Sequence, residues 1–261
     1  MKGGTKLPSR LVFHGQGGIG KTSFAAHAPA PFFLLSPGET GLHTLIDSGQ
    51  LPAIANIEVH DWPSLLDLIE QLTTQDHAYK TLVLDVLDGF EKLANEYVCQ
   101  VDFNGERGEK GFMGYQRGYK VVASGPWREL LAALDKLRSV KRMGIICLAH
   151  TGIGNFQNPA GPDYNRFVPD IFKDAWQLAY AWADIVLFGY HEVVVAKEKG
   201  DRKGKGQSGV RIMRTEYDAT ADAKNRHALP PEIEMGSSGA EAWANLVAAI
   251  QEGRKKEVAN G

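Results

Sequence analysis

The stretch Arg10–Phe24, RLVFHGQGGIGKTSF, limits what this chain can fold into more than any other. A short apolar run, Leu11-Val12-Phe13, leads into a glycine-rich turn, Gly15-Gln16-Gly17-Gly18-Ile19-Gly20. Lys21, Thr22 and a helix-compatible segment, Ser23-Phe24-Ala25-Ala26, follow. The spacing G-x-x-x-x-G-K-T lies between a strand and a helix, which is where a phosphate loop must lie. Glycines let successive backbone N–H groups turn into one concavity. The helix that begins near Lys21 adds its positive end, so the site favours a polyphosphate. On this reading residues 15–23 cradle ATP, Lys21 reaches the β- and γ-phosphates, and the Thr22 hydroxyl ligates Mg²⁺.

With 261 residues the chain suits one large α/β domain, expected over 1–252, with a flexible charged tail at 253–261. A net charge of −2 gives the whole molecule no bias towards nucleic acid, so any such bias must be local. Two cysteines, Cys99 and Cys147, both in apolar company, exclude a disulfide scaffold. The start, Met1 to Lys6, lacks the apolar core of a signal peptide, and no apolar run approaches the ~20 residues that span a bilayer. The expectation is a soluble protein in a reducing, cytoplasmic compartment.

Along the chain, Pro31–Leu35 reads as a buried strand and ends in a breaker-rich turn, Ser36 to Gly41. Ile57–His60 is a second strand candidate, and Trp62–Thr73 a helix with Leu65, Leu66, Leu68, Ile69 and Leu72 on one side. Tyr79–Asp85 is an apolar strand that ends in an acid. Such alternation predicts a mostly parallel sheet flanked by helices, with functional residues at the carboxyl ends of the strands. Asp85 then fits the Walker B position, holding Mg²⁺ opposite Thr22. Asp88 competes for that role; the preferred reading makes it the N-cap of a helix over Gly89–Val98. Hydrolysis needs a group that orients or deprotonates water. Glu39, just past the second strand, is the candidate, against a plain solvated turn glutamate.

From Val101 to Lys120 the chain is rich in glycine and interleaves aromatics with cations. Phe112, Tyr115 and Tyr119 are candidates to stack on bases, and Lys110, Arg117 and Lys120 to face phosphates. A surface loop with a few anchoring aromatics is the open alternative. Ser124–Val140 reads as one helix with Ser124 as N-cap and Pro126 in the first turn. Gly144–Ala149 is the next buried strand. His150 at its end is either a γ-phosphate sensor or a hydrogen-bonded structural residue. Gly152–Pro169, with Phe156, Tyr164, Arg166 and Phe167, reads as a long irregular loop, and Phe156 and Arg166 extend the candidate nucleic-acid contacts. Ile171–Trp182 reads as a helix and Asp184–Phe188 as a strand. A hairpin follows over Glu192–Ala196 and Val210–Thr215, with a solvated basic tip at Lys197–Gly209. Lys224 and Arg226, two residues apart, would project to one side if extended. They are either fingers reaching a neighbour's γ-phosphate or a pair of surface charges. Gly239–Glu252 reads as a closing amphipathic helix, followed by the frayed tail.

The order of phosphate loop, Glu39, Asp85, His150 and Lys224-Asn225-Arg226 resembles the RecA-like core ATPases. More closely, Gly111–Lys120, Leu148–Thr151, Asp163–Pro169 and Tyr217–Pro230 are similar to phage-encoded RecA-like ATP-binding proteins of single-strand annealing and recombination. The resemblance implies an α/β RecA-like fold with a C-terminal β-hairpin extension. It also implies a DNA-stimulated ATPase acting on single-stranded DNA, a ring or filament of copies, and a single-strand binding protein as a further partner, in the host cytoplasm if phage-encoded. The two loops rich in glycine and aromatics would line a DNA channel. Two features depart from the pattern: Ser36-Pro37-Gly38 stand where the family has an acid close by, and no extra domain precedes the loop. The alternative function is a nucleotide-switched partition or regulatory ATPase, whose signature lysine is replaced here by Gln16.

Overall fold

A computed structural model describes residues 7–196 and 205–259, and their side chains except at 193–196, 205–208 and 256–259. The strands are β1 (Arg10–Gly15), β2 (Pro31–Leu35), β3 (Asn56–Glu58), β4 (Thr81–Asp85), β5 (Gly144–Phe156), β6 (Tyr164–Pro169), β7 (Ile185–Ala196), β8 (Lys205–Arg214), β9 (Lys224–Asn225) and β10 (Glu232–Glu234), of which β1, β2, β4 and the first half of β5 are short apolar runs. The helices are α1 (Lys21–Ala26), α2 (Gly41–Asp47), α3 (Trp62–Thr74), α4 (Leu87–Phe103), α5 (Arg117–Ser124), α6 (Pro126–Lys141), α7 (Lys173–Trp182) and α8 (Gly239–Ala259). The sheet runs β10-β8-β7-β1-β5-β4-β2-β3. Neighbours from β7 to β3 are parallel, while β8 and β10 extend it antiparallel. This is the expected mostly parallel α/β sheet flanked by helices, with C-terminal antiparallel strands.

The strand period of two divides each run between two cores. Val12, Leu34, Leu82, Leu84, Ile145 and Cys147 join the core under α3, α4, α6 and α7. Leu11, Phe13, Phe33, Leu35, Val83, Ile146 and Leu148 join the core under α1 and α8. Trp62 and Trp127 are among the largest fully enclosed side chains. Truncating either to Ala would cost roughly 3–5 kcal/mol. Cys99 and Cys147 are buried thiols. Among the described residues no helix is long and apolar enough to cross a membrane.

Several boundaries differ from expectation. The Ser36–Gly41 turn runs straight into α2, which the sequence reading lacked. Gly125 breaks the expected 124–140 helix into α5 and α6, so Ser124 is no N-cap; its hydroxyl donates to the Val121 carbonyl. The irregular 152–169 loop is a hairpin: β5 runs on to Phe156 and pairs with β6 from Thr151↔Pro169 to Phe156↔Tyr164. Beyond Ala149 the residues of β5 are exposed, like Ile153, or only half-buried, so the stretch lacks the apolar run that marks a buried strand. The 184–188 and 192–196 strands are one, β7. Of the basic tip, 197–204 lie outside the described residues. Helix α8 continues past Glu252 to Ala259, through the stretch expected to fray.

Candidate active site

Parallel strands bring the chemistry to one rim. β1 ends at Gly15, and residues 16–20 curl from it into α1. Gly18 (φ 77°) and Gly20 (φ 100°) lie in the left-handed region, where any Cβ is strained. Helix α1 has only six residues, so an anion bound here would depend more on the N–H groups of the loop than on a long helix dipole. The Lys21 ammonium donates to the carbonyls of Gly15 (3.0 Å) and Gln16 (3.2 Å). Burial lowers its pKa, opposed by Asp85, Asp88 and Glu39. A cleft of about 380 Å³ opens over these residues, with Glu39, Thr44, Asp85 and His150 on its walls.

Thr22 Oγ1 donates to Asp85 Oδ2 at 2.9 Å, which joins the loop to the end of β4. Asp85 is buried, and its other oxygen, Oδ1, has no hydrogen-bond partner. Burial pushes its pKa to about 7, against the Thr22 hydrogen bond. A buried carboxylate with an orphan oxygen beside a hydroxyl fits Mg²⁺, a hard cation that takes oxygen ligands. Among the described residues no group of three or more His, Cys, Asp or Glu side chains could hold a metal unaided. The remaining ligands would therefore come from phosphate and water.

Behind the pair stand Glu39 and His150. Glu39 Oε1 lies 3.8 Å from His150 Nε2, and the other ring nitrogen, Nδ1, is 3.0 Å from Asp88 Oδ2. Asp88 Oδ1 also accepts the His150 backbone N–H at 2.9 Å. The Asp88 hydrogen bond, opposed by burial, raises the His150 pKa. Asp88 is therefore not the N-cap of α4, which begins after Val86; its carboxylate reaches across to β5 instead. An acid at a helix start gives the same local signal in both roles.

Two residues went unnoticed in the sequence. Arg211 on β8 donates to the Ile19 carbonyl inside the phosphate loop (3.3 Å) and twice to the Gly236 carbonyl (3.2 and 2.7 Å). Asp222 collects Arg166 (2.6 Å), the Trp176 indole (2.8 Å) and, through its carbonyl, His14 Nε2 (2.6 Å). Neither lies in a motif, and only the tertiary fold brings them in.

The nucleic-acid candidates divide. Phe112 is 3% exposed, packed edge-on to Phe103 and Tyr119, so it is a core residue and no stacking platform. Tyr119 stacks on Phe172. The Arg117 guanidinium, though exposed, is held by the carbonyls of Lys110, Gly111 and Gly114. Arg166 is buried, paired with Asp222 and sandwiched between Phe156 and Tyr217. Tyr115, at 92% exposure, Lys110 and Lys120 remain on the surface. Lys224 and Arg226 do point together, both donating to the Ala181 carbonyl. They flank the start of β7, at the end of the parallel strands opposite the phosphate loop, and are remote from the cleft of their own chain.

A model of the AAA domain family matches residues 7–227. The SPbeta prophage-derived uncharacterized protein YorG of Bacillus subtilis (strain 168) is 26% identical over 124 residues, 46% of this chain and 35% of that protein. The match thus spans about a third of that relative's length. Among solved structures, the RadB recombinase is similar with a TM-score of 0.46 and 10% identity, over 91% of each chain. The flagellar accessory protein FlaH from Methanocaldococcus jannaschii is similar with a TM-score of 0.40 and 11% identity, over 89% of this chain and 87% of that one.

Proposed function

The chain belongs to the AAA domain family, and from that premise we propose that it is a Mg²⁺-dependent ATPase whose hydrolysis drives work on single-stranded DNA of the phage recombination or annealing type. The observation that carries the hydrolytic part is the Thr22–Asp85 pair at the phosphate loop, with its orphan Asp85 Oδ1, facing Glu39 and His150 across one cleft. Lys21 leaves two neutral carbonyls for the β- and γ-phosphates, because an anionic oxygen is the stronger acceptor. Thr22 and Asp85 would hold Mg²⁺, which would neutralise charge building on the phosphates. Glu39 orients the attacking water and takes its proton, and His150 reads the γ-phosphate position.

The prophage-derived relative supports the phage setting, and the exposed Tyr115, Lys110 and Lys120 support contact with a strand. A single-strand binding protein would act upstream by presenting that strand. The test is ATP turnover with and without Mg²⁺ and single-stranded oligonucleotide. Turnover that needs Mg²⁺, disappears in Lys21→Ala and rises with oligonucleotide is expected. Turnover without oligonucleotide stimulation or retention at low salt removes the DNA part, and ATP-driven dimerisation in its place marks a nucleotide switch.

A further inference from the structure

Three acids follow one another along the start of α4 and the strand before it, and the hydrolytic reading uses only the first. Asp85 closes β4 at the cleft. Asp88 lies in the first turn of α4, and Glu91 lies one turn further on the same side. Asp88 and Glu91 are both buried. Buried carboxylates cost free energy unless they are paired or hydrogen-bonded, so each needs a structural reason. Asp88 takes the main-chain N–H and the ring Nδ1 of His150. Glu91 takes the main-chain N–H of Phe172 with both oxygens, at 3.0 and 3.1 Å.

These two amides have particular places. His150 is where β5 leaves the main sheet to become the β5–β6 hairpin. Phe172 follows the return of that hairpin and caps α7. The hairpin base is closed between them by the Asp170 N–H donating to the His150 carbonyl at 3.1 Å. Both feet of the hairpin are thus fastened to one helix, by carboxylates a single turn apart. The helix itself begins two residues after Asp85, the acid beside Thr22. The Asp88 grip also fixes the His150 ring so that Nε2 faces Glu39.

We propose that Asp88 and Glu91 are positioning residues that clamp the two feet of the β5–β6 hairpin to α4, presenting His150 to Glu39 and tying the hairpin to the nucleotide cleft. The inference rests on the hydrolytic reading for its catalytic consequence but not for the clamp itself. Asp88 acts through His150 and touches no reacting atom. Burial pushes the Glu91 pKa to about 7, against its Phe172 hydrogen bonds. Its acceptor role survives in either protonation state, because a protonated carboxyl keeps one carbonyl oxygen.

Two measurements on the full chain test this. In the first, amide hydrogen exchange is followed without nucleotide, so the result does not depend on ATPase activity. Asp88→Leu and Glu91→Met, which remove the acceptors, should each speed exchange at least about tenfold at the hairpin feet, around 150–152 and 170–172. Exchange in β1 and β4 should stay at the parental rate. Glu91→Gln keeps an acceptor and should stay near the parent. In the second, Asp88→Asn should lower kcat at least about tenfold while ATP affinity stays within about twofold. Parental exchange at the hairpin feet in either Asp88→Leu or Glu91→Met would overturn the clamp. Exchange raised across the whole chain, or ATP affinity lost together with kcat, would also overturn it, by showing a general structural role. A parent that neither binds nor hydrolyses ATP would overturn the proposed function and leave the exchange result to decide the clamp.

Discussion

His14 shows what a single buried residue commits the fold to. It lies on β1, fully enclosed, with Trp176 and Phe188 against its ring. Nε2 faces the Asp222 carbonyl, which can only accept, so Nε2 carries the proton and Nδ1 accepts from the Thr151 hydroxyl at 3.0 Å. Burial lowers its pKa to about 4, opposed by Asp222, while Lys21 and Arg166 lower it further. The folded pKa lies below the unfolded value of 6.5. Between those values the unfolded chain binds the proton and the folded chain does not. Stability from this group is therefore complete above pH ~6.5 and is lost as pH falls towards 4, by up to about 3 kcal/mol. Glu91 runs the opposite way, its raised pKa adding stability as pH falls from about 7. The clean measurement is thus the difference between parent and His14→Gln in urea unfolding at pH 7 and pH 4.5. The parent's disadvantage at the lower pH should shrink in the variant, and equal slopes would show that His14 is not the source. The sequence offered His14 only as a polar residue in a strand. Its burial depends on Trp176, Phe188 and Asp222, all far along the chain.

At the scale of elements, what was legible followed from local backbone demands. The phosphate loop was readable because only glycine tolerates the turns at 18 and 20, and because Lys21 and Thr22 are fixed by spacing. Asp85 was readable from the apolar run before it. Phe112 and Arg166 are buried against expectation, because an aromatic–cation composition is the same whether the side chain lies in a core or on a surface. The β5–β6 hairpin was missed because Gly152, Gly154 and Asn155 interrupt any apolar period and its buried Arg166 is a cation. Arg211 could not be anticipated, since it serves the loop from β8. Its Nη1 on the Ile19 carbonyl lies where a Cβ at Gly20 would come within 2.8 Å. The loop is thus pinned on its outer side by a strand near the far end of the chain. Arg211→Met keeps the apolar stem and removes three hydrogen bonds. Loop backbone ordered in advance by Arg211 would have to be ordered by the ligand instead, so ATP affinity should fall roughly tenfold, read by calorimetry. Gly20→Ala combines the left-handed φ with that contact and should weaken ATP binding at least as much. Unchanged affinity in Arg211→Met would show that the loop holds its shape unaided.

For the whole molecule the decisive residues are those remote from their own cleft. Lys224 and Arg226 lie across the sheet from Lys21, so as fingers they would have to serve a second copy of the chain. Their present partners do not forbid it. Arg226, 54% exposed, is 3.3 Å from Asp184 Oδ1. Asp184 is already held by Arg10 at 2.8 Å, and its other oxygen faces Arg138 at 3.5 Å. An exposed pair of this kind contributes about 0–1 kcal/mol, so releasing Arg226 costs little. A charge delivered to a γ-phosphate in the transition state contributes far more, roughly 10³-fold or above in rate. A chain carrying Lys224→Ala and Arg226→Ala should bind ATP like the parent and turn it over at background rate. Lys21→Ala chains should also be inactive, through loss of the nucleotide. Mixed one to one, the two give clefts of the first kind served by cations of the second, and about a quarter of interfaces in a closed ring become active. Recovery of activity on mixing, following the random-assembly curve as the ratio changes, is the expected outcome. Two inactive chains that stay inactive together, or a double variant with parental turnover, would return Lys224 and Arg226 to the role of surface charges.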